Sequence, residues 1–175
     1  MSIAKTKYEY FCELRGDINE HMPTLKKYAE ECEHITELRV RGIVSTWAFL
    51  IAKPKKIISV DIISPEVFKG NLQEVYDAAK EIGVDFQFIL GDDLKVSLEE
   101  TDLLFIDTEH TYTQLNSELN LLGVLAKKYI IMHDTTLCAQ QLLPAIDGFL
   151  NKNSNWKKHA QFINNNGLTI LKNIG

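Results

Sequence analysis

The segment at residues 35–46 reads ITELRVRGIVST and predicts a buried strand, a tight turn with one glycine, and the capped start of a helix. In an open α/β sheet, ligands bind beyond the carboxyl ends of the strands, where helix N-termini present free backbone N–H groups. The segment therefore predicts a nucleotide-binding crevice, and we expect the rest of the chain to form the scaffold and walls of that crevice.

Apolar runs of strand length alternate with helical patterns on both sides of this segment. Two helices separated near Gly16 are predicted between residues 7 and 32, the second beginning near His21 or Met22. Further strands are predicted at 57–61, 85–90, 103–107 and 129–134, and further helices at 46–52, 65–82, 113–126 and 139–150. This alternation is typical of a parallel sheet that is covered by helices on both faces.

The C-terminal region predicts a β-hairpin. Residues 156–163 and 168–171 are β-rich and flank Asn164-Asn165-Asn166-Gly167, and Asn-Gly between two such runs is a typical hairpin signal. The hairpin should add an antiparallel edge to the sheet. With 175 residues, 45% of them hydrophobic, we expect a single domain at 1–175, with an N-terminal helical segment at 1–34 and the core at 35–175.

Composition narrows the class of protein. A formal net charge of −5 and a pI near 5.5 argue against nucleic-acid and membrane-surface partners, which favour an excess of Lys and Arg. The three cysteines, Cys12, Cys32 and Cys138, form no CxxC pair, which favours a reducing compartment. Because the chain shows neither a signal-peptide pattern nor an apolar run of membrane-spanning length, we expect a cytoplasmic protein. A homo-oligomer remains an open alternative.

Four carboxylates, Asp61, Asp92, Asp107 and Asp134, follow predicted strands at or just past their ends. The topology places all four along one rim of the sheet, where each either contacts a ligand or caps the next turn or helix. Asp61 lies about 20 residues after Gly42, the separation at which a βαβ unit sets an acid against a nucleoside ribose. Asp92 is placed to accept from an adenine amino group or to cap its own turn.

The segment Asp107 to Tyr112, DTEHTY, is the densest group of chemically active residues. His110 is predicted to be a general base that takes a hydroxyl proton, because an imidazole titrates near neutral pH. The alternative is a structural histidine bonded to a neighbouring loop. His133 is expected to face the same crevice. Asp107 and Asp134 together predict a site for a divalent cation such as Mg²⁺, which takes oxygen ligands and would stabilise a substrate alkoxide.

The order of these motifs resembles class I S-adenosylmethionine-dependent methyltransferases, and most closely the methyltransferase domain 24 group, which is related to sugar and macrolide O-methyltransferases. The resemblance rests on residues 17–25 (DINEHMPTL), 36–47, 59–62 (SVDI), 105–112 (FIDTEHTY) and 131–135 (IMHDT). It implies an α/β, Rossmann-like three-layer sandwich. Its seven-stranded, mostly parallel sheet would have the order 3-2-1-4-5-7-6, with the last strand antiparallel.

The resemblance also implies S-adenosylmethionine as the cofactor and a small-molecule or glycan hydroxyl as the methyl acceptor. It places Glu37 and Gly42 near the methionine part, Asp61 at the ribose and Asp92 near adenine. Asp107 would lie between cofactor and acceptor, and the implied catalytic residues are His110 and Asp107. The predicted cofactor-binding set is completed by Arg39, Ser45, Thr46 and Ile62. The implied metal ligands are Asp107, Asp134 and Thr135, with Thr in place of the more usual Asn or Asp.

Arg39 departs from the family pattern Glu-x-Gly-Val-Arg, because it stands at the first glycine. Glycine there lets the backbone approach the cofactor, whereas arginine adds a long cation beside a site for a positive sulfonium. Two functions follow as alternatives: an O-methyltransferase, or a non-catalytic or repurposed binding domain in which Arg39 pairs with Glu37 or Asp61. A third, an NAD-dependent oxidoreductase, is disfavoured because a full GxGxxG is absent.

Overall fold

Strands and helices alternate through residues 2–175, the part of the chain that the computed structural model describes. The strands are His34–Leu38 (β1), Lys56–Asp61 (β2), Asp85–Leu90 (β3), Thr101–Ile106 (β4), Ala126–His133 (β5), Trp156–Phe162 (β6) and Leu168–Asn173 (β7). The helices are Ile3–Glu13 (α1), Met22–Ala29 (α2), Ser45–Ile51 (α3), Leu72–Ile82 (α4), Tyr112–Leu121 (α5) and Ala139–Lys152 (α6). Short 3-10 turns lie at Asn19–His21, Pro65–Phe68 and Gly123–Leu125.

All seven strands form one sheet in the order β3-β2-β1-β4-β5-β7-β6. Strands β1 to β5 pair in parallel, and β7 runs antiparallel to both β5 and β6. The predicted fold class, strand order and antiparallel hairpin are therefore confirmed. Because the five parallel strands point the same way, their carboxyl ends meet at one edge of the sheet and bring the loops after β1, β2, β3, β4 and β5 together.

The core consists of two apolar layers, one on each face of the sheet. On one face α1 to α4 pack on the strands, with the ring of Phe49 edge-on to that of Phe105 at 5.4 Å between centroids. On the other face α5 and α6 cover neighbouring strand positions such as Leu104 and Ile106. Each fully buried side chain of this size contributes about 1.5–3 kcal/mol through removal of apolar surface from water. The central strands are thereby fixed beneath the crevice.

The prediction of a single helix at 65–82 is wrong, because this segment forms a 3-10 turn followed by a separate helix. A 3-10 turn at Pro65–Phe68 ends at Lys69, whose φ of 64° lies in the left-handed region, and α4 begins only at Leu72. Asn71 starts α4 by accepting the backbone N–H of Glu74 on its Oδ1 at 3.1 Å. Because Asn71 acts as an N-cap, α4 begins after it and does not continue the 3-10 turn that precedes it. Gly83 ends the helix with a φ of 77°, as predicted.

Two other helix boundaries differ from the prediction. The helix predicted at 113–126 ends at Leu121, because Ala126 already belongs to β5 and pairs with Thr101 of β4. The first helix begins at Ile3 rather than near residue 7, since Ser2 caps it by accepting the N–H of Lys5 at 3.3 Å. The second helix begins at Met22, in agreement with the prediction. Among residues 2–175, no helix combines the length and the apolar character that a membrane crossing requires.

The hairpin turn ties the C-terminal strands to the N-terminal segment. Asn165 donates from Nδ2 to the Gly16 carbonyl at 2.8 Å, and Asn164 donates to the Glu20 carboxylate at 2.6 Å. Gly167 has a φ of 95°, and a Cβ at this position would overlap the backbone N and Oγ1 of Thr136. The turn therefore requires glycine at residue 167, both for its conformation and for the close approach to Thr136.

We expect Gly167→Ala to lower the free energy of unfolding by about 3 kcal/mol, through strain at positive φ and overlap with Thr136. Gly148→Ala is the matched control, because Gly148 lies inside α6 and a Cβ there meets no atom within 4 Å. That control should gain about 0.5–1 kcal/mol from helix propensity. Urea unfolding curves measure both values, and a Gly167→Ala protein as stable as wild type would contradict the prediction.

Candidate functional site

A crevice of two adjoining cavities lies at the carboxyl ends of the parallel strands. The larger cavity has a volume of about 430 Å³ and is lined by residues that include Asp61, Ile62 and Asp92. The smaller cavity, of about 270 Å³, is lined by residues that include Gly42, Ser45 and Asp107. Arg39, Arg41 and Phe68 line both cavities. The crevice therefore lies where the segment at 35–46 predicts it.

Arg39 crosses this crevice from one strand end to another. Its backbone N–H donates to the Val60 carbonyl at 2.7 Å, and its guanidinium donates from Nη1 to the Thr108 carbonyl at 2.6 Å. Thr108 follows β4 and Arg39 follows β1, so the side chain connects two strand ends, and it lines both cavities. The prediction that Arg39 forms an ion pair with Glu37 or Asp61 is wrong, because its guanidinium donates to a neutral carbonyl instead.

The turn after β1 is conformationally strained at its non-glycine residues. Arg39, Arg41 and Ile43 have φ values of 69°, 45° and 61°. Gly42 is not among the positive-φ residues, and a Cβ on it would find its nearest neighbour, the Phe68 carbonyl, at an ordinary 3.5 Å. A side-chain-bearing residue in the left-handed region costs on the order of 1 kcal/mol. The surrounding contacts must therefore hold this turn in place.

Asp61 supplies those contacts from the end of β2. Its Oδ2 accepts the backbone N–H groups of Val40 at 2.8 Å and Arg41 at 3.0 Å, and its Oδ1 accepts that of Ile63 at 3.0 Å. The carboxylate also lines the larger cavity. Because each carboxylate oxygen has two lone pairs, Asp61 shapes the turn and still presents acceptor capacity to a ligand.

Glu37 is fully buried beneath the turn and lines neither cavity. It accepts hydrogen bonds from Ser45 Oγ, from Thr46 Oγ1 at 2.8 Å and from Ser59 Oγ at 2.7 Å. Burial raises the pKa of Glu37 to about 7, against the opposing effect of these bonds. The prediction that a side chain caps the start of α3 is wrong. The N-cap residue is Val44, which has no side-chain hydrogen bond to offer, and the hydroxyls of Ser45 and Thr46 donate to Glu37 instead.

Ser59 was missed by the sequence analysis. It lies on β2 directly opposite Glu37 of β1, and a polar residue in an otherwise apolar strand is the signal that would have found it. Thr46 is fully buried, whereas Ser45 reaches the smaller cavity. The predicted residues Glu37 and Thr46 therefore support the crevice from below, and Ser45 contributes to both the support and the wall.

Asp92 caps its own turn, as one of its two predicted roles requires. Its Oδ1 accepts the backbone N–H of Leu94 at 3.1 Å, and its Oδ2 pairs with Lys95 Nζ at 2.6 Å. The hydrogen bond from Lys95 lowers the pKa of Asp92. The carboxylate thus caps its own turn while it lines the larger cavity. Ile62 lies on the same cavity wall with 67% of its surface exposed, which makes it an apolar rim.

A buried pair of carboxyl groups, Asp93 and Glu118, lies at the larger cavity, which Asp93 lines. Glu118 is fully buried on α5, where Gln114 donates to its Oε1 at 2.8 Å, and its side chain contacts that of Asp93. Burial raises the pKa of Glu118 to about 8 and also raises that of Asp93, so the pair holds a proton at neutral pH. In the sequence, the signal for a buried acid is Glu118, which lies among the apolar residues between Leu115 and Leu122 on the apolar face of α5.

We expect Glu118→Gln to remove part of the pH dependence of stability. The folded-state pKa of Glu118, about 8, exceeds the unfolded value of 4.5, so its contribution is complete below pH 4.5 and is lost as pH rises through 8. Glutamine supplies a permanent donor to Asp93 instead. Wild type and variant should be similar at pH 5, and the variant should be more stable at pH 9 by at least about 1 kcal/mol.

Urea unfolding at pH 5, 7 and 9 measures this difference. Asp93→Asn should keep most of the pH dependence, because burial, the main cause of the raised pKa of Glu118, remains in that variant. Raised pKa values elsewhere add a slope of the same sign to all three proteins, so the difference between the curves is the informative quantity. Curves of wild type and Glu118→Gln that stay parallel from pH 5 to pH 9 would show that Glu118 does not hold a proton at neutral pH in the folded protein.

Two histidines and two carboxylates meet at the ends of β4 and β5. His110 Nε2 lies 2.8 Å from Asp134 Oδ2 and 3.4 Å from Asp107 Oδ1. His133 Nδ1 lies 3.2 Å from Asp134 Oδ2 and 3.5 Å from Asp107 Oδ1. Hydrogen bonds to Asp107 and Asp134 raise the pKa of His110 to about 9. The predicted residues Asp107, His110 and Asp134 are therefore brought together, and His133 joins them.

Charge pairing dominates this cluster. Burial opposes charge on His133, but its bonds to Asp107 and Asp134 raise its pKa to about 10. Burial likewise opposes charge on Asp134, yet the hydrogen bonds from both imidazoles hold the pKa of Asp134 well below its usual range. The far side of His133 is closed by its Nε2 contact with the Asn165 carbonyl at 3.2 Å and by the ring of His21 at 5.7 Å.

The cluster has the donor set of a divalent-cation site. Asp107, His110 and Asp134 each offer one ligand atom, all within 4.8 Å of one another. Asp134 Oδ1 is buried and has no hydrogen-bond partner among residues 2–175. Carboxylate oxygens with one imidazole nitrogen suit several divalent metals. The predicted third ligand, Thr135, is instead fully buried, and its Oγ1 accepts a hydrogen bond from Thr169 at 2.9 Å.

Comparisons with known proteins identify the fold. No protein-family model matches the sequence, and no curated protein sequence matches it. Among solved structures, an S-adenosylhomocysteine-bound methyltransferase from Podospora anserina is 15% identical, with 98% of this chain and 87% of that chain covered and a TM-score of 0.66. An O-methyltransferase from Bacillus cereus in complex with S-adenosylhomocysteine is 12% identical over 98% and 88%, also with a TM-score of 0.66.

A third neighbour is the O-methyltransferase of tomaymycin synthesis from Streptomyces achromogenes, in complex with S-adenosylmethionine. It is 12% identical, with 87% of this chain and 80% of that chain covered and a TM-score of 0.62. These likenesses establish that the chain has the Rossmann-like fold found in S-adenosylmethionine-dependent methyltransferases.

Proposed function

We propose that this protein is an S-adenosylmethionine-dependent methyltransferase that transfers a methyl group to a hydroxyl of a sugar, glycan or other small metabolite. The observation that carries the proposal is the cluster of Asp107, His110 and Asp134 at the ends of β4 and β5, with Asp107 on the wall of the smaller cavity. The O-methyltransferases among its structural neighbours support the reaction class, and the order of its motifs favours relatives of the domain 24 group.

In this proposal each cavity would take one part of the cofactor. The larger cavity would take the adenosine, with Asp61 accepting from the ribose hydroxyls, Asp92 near the adenine and Ile62 against its face. The smaller cavity, at Gly42 and Ser45, would take the amino-acid part. When bound, the cofactor supplies an activated methyl group on a sulfonium. A ligand that spans both cavities fits once the Arg39 side chain leaves the Thr108 carbonyl.

The chain's own residues provide positioning and proton transfer. His110 would accept the hydroxyl proton of the acceptor once its imidazole is neutral, which its pKa of about 9 favours at alkaline pH, and Asp134 and Asp107 hold its Nε2 side in a fixed orientation. Asp107 and Asp134 would also hold a divalent cation such as Mg²⁺, which would polarise the acceptor oxygen and favour its alkoxide form. The acceptor itself would approach across the smaller cavity, which Asp107 lines.

A second candidate function is a non-catalytic or repurposed binding domain. The hydrogen bond from Arg39 to the Thr108 carbonyl favours it, because in this conformation the side chain is held in the wall of both cavities, where a cofactor would bind. This alternative predicts that the protein binds no S-adenosyl ligand while Arg39 is present.

Calorimetric titration with S-adenosylmethionine and S-adenosylhomocysteine tests the proposal. We expect saturable binding, and formation of S-adenosylhomocysteine when hydroxyl-bearing sugars are added with the methyl donor. Arg39→Gly should increase the affinity for S-adenosylmethionine, because it opens the boundary between the cavities. Lys69→Gly is the matched control, since it removes a cation at a positive φ of 64° outside both cavity walls. Binding only by Arg39→Gly would favour the second function, and no binding by any of these proteins at millimolar ligand would contradict the methyltransferase proposal.

A further inference from the structure

Strands β3 and β6 are the two edges of the sheet, and only β6 is protected against the addition of another strand. On β6, Lys157 and Lys158 are exposed, and the pairing with β7 shifts register between Lys158 and Ala160. Charged side chains and register shifts both discourage a further strand from joining an edge. Strand β3 pairs with β2 without a shift, and its sequence, DFQFIL, contains neither Lys, Arg nor Pro. It therefore lacks the features that protect β6.

Alternate residues of β3 direct their backbone groups away from the sheet. The N–H of Asp85 donates to the Lys55 carbonyl at 3.0 Å, so the odd-numbered positions of β3 face β2. Backbone groups alternate in direction along a strand. The N–H and C=O groups of Phe86, Phe88 and Leu90 are therefore presented to the open side of β3.

A groove runs along this open side, between β3 and α4. It has a volume of about 430 Å³ and is lined by residues that include Tyr76, Lys80 and Phe86. The N–H of Phe88 donates to the Tyr76 hydroxyl at 3.2 Å, which agrees with its direction away from β2. Because 39% of the surface of Tyr76 is exposed, its side chain has room to turn towards solvent and release this N–H. The groove thus offers both the space and the backbone donors that an added strand requires.

The sequence of β3 is complementary to itself in the antiparallel direction. When a second copy is placed with Phe88 opposite Phe88, Phe86 lies opposite Leu90. All three outward residues then form hydrogen-bonded pairs, in which the two members exchange both of their N–H···O=C bonds. The paired side chains are all apolar, and Asp85 lies opposite Gly91, so like charges do not face each other. Any other register leaves at least one outward residue without an opposite residue in β3.

We propose that β3 is the interface of a symmetric dimer, in which the β3 strands of two copies pair antiparallel about a twofold axis at Phe88. The pairing joins the two sheets into one, and it does not depend on the proposed function. Because the paired strands run in opposite directions, the two crevices open at opposite edges of the joined sheet. A stable interface buries about 800 Å² on each partner, so the exposed side chain of Leu90 and the groove-lining face of α4 contribute beside the backbone bonds.

Sedimentation velocity of the full chain tests the dimer, from about 1 µM to about 200 µM protein. We expect a concentration-dependent equilibrium between monomer and dimer in wild type. Leu90→Lys places a cation on the open edge and should weaken the association by at least about tenfold. Val124→Lys is the matched control, because Val124 is 65% exposed, close to the 63% of Leu90, but lies in the 3-10 turn before β5. It should leave the association unchanged.

Tyr76→Phe gives a change in the opposite direction. It removes the hydroxyl that occupies the N–H of Phe88 and keeps the ring that lies edge-on to Phe86 at 5.1 Å between centroids. The central donor of the interface is then free before association. We expect this variant to dimerise more tightly than wild type in the same sedimentation measurement.

Residue-resolved amide hydrogen exchange identifies which edge pairs. Protection of the Phe86, Phe88 and Leu90 amides should rise with protein concentration, whereas Gln87 and Ile89, whose N–H groups face β2, should keep constant protection. A protein that stays monomeric over the whole concentration range would overturn the proposal. A dimer that Leu90→Lys does not weaken, or one without this alternation in protection, would overturn it as well, because the interface would then lie elsewhere.

Discussion

Glu37→Ala is expected to lower the free energy of unfolding by about 3–5 kcal/mol. The substitution leaves the hydroxyls of Ser45, Thr46 and Ser59 without their common acceptor and creates a cavity beneath the turn after β1. Those three residues join β1, β2 and the first turn of α3 through one carboxyl group. Because the strained turn rests on this junction, the effect should reach the crevice as well as the core.

Urea unfolding monitored by far-UV circular dichroism measures this effect. Glu37→Gln is the matched control, since its carbonyl oxygen still accepts hydroxyls and its volume is nearly unchanged. We expect that control to lose about 1–2 kcal/mol, because its amide N–H groups gain poorer partners. A loss below about 1 kcal/mol for Glu37→Ala would show that the hydroxyls find other acceptors and that Glu37 does not organise the junction.

His110→Gln is expected to lower the rate of methyl transfer by about 10²- to 10⁴-fold, the usual contribution of a positioned general base. Glutamine retains hydrogen-bonding capacity towards Asp107 and Asp134 but cannot act as a base, whereas His110 can once it is neutral, so the rates are compared near its pKa of about 9. The affinity for S-adenosylhomocysteine should change little, because His110 lines neither cavity.

Initial rates of S-adenosylhomocysteine formation from S-adenosylmethionine, at saturating methyl acceptor, measure the effect on catalysis. Tyr112→Phe serves as the control, because Tyr112 is exposed at the start of α5 and lies outside the cluster of carboxylates and imidazoles. Its rate should remain near that of wild type. A His110→Gln protein that keeps the wild-type rate would remove His110 from the proton-transfer step and return it to a structural role.

The features that sequence predicts well are those set by local patterns and by topology. The apolar run at 85–90 becomes β3 with the predicted boundaries, and Asn164 to Gly167 forms the hairpin turn. The placement of Asp61, Asp107 and Asp134 at one edge follows directly from parallel strands, because the carboxyl ends of such strands meet there. The strand order came from the resemblance to a family.

The features that the sequence did not reveal depend on contacts between distant residues. Arg39 lies 69 positions before Thr108, and nothing in the sequence shows that its guanidinium takes a carbonyl rather than a carboxylate. The same holds for Asp93 and Glu118, whose meeting depends on how α5 packs on the sheet. The prediction of one helix at 65–82 was wrong for a local reason. Lys69 adopts a left-handed conformation that an L-residue rarely takes, and this interrupts the helix.

A crystal structure with S-adenosylhomocysteine tests most directly whether this crevice is a cofactor site. We predict the adenosine in the larger cavity, with its ribose hydroxyls within hydrogen-bond distance of Asp61. We also predict the amino-acid part in the smaller cavity and the guanidinium of Arg39 displaced from the Thr108 carbonyl. A crevice that stays empty at millimolar ligand, with the contact between Arg39 and Thr108 intact, would contradict the proposal.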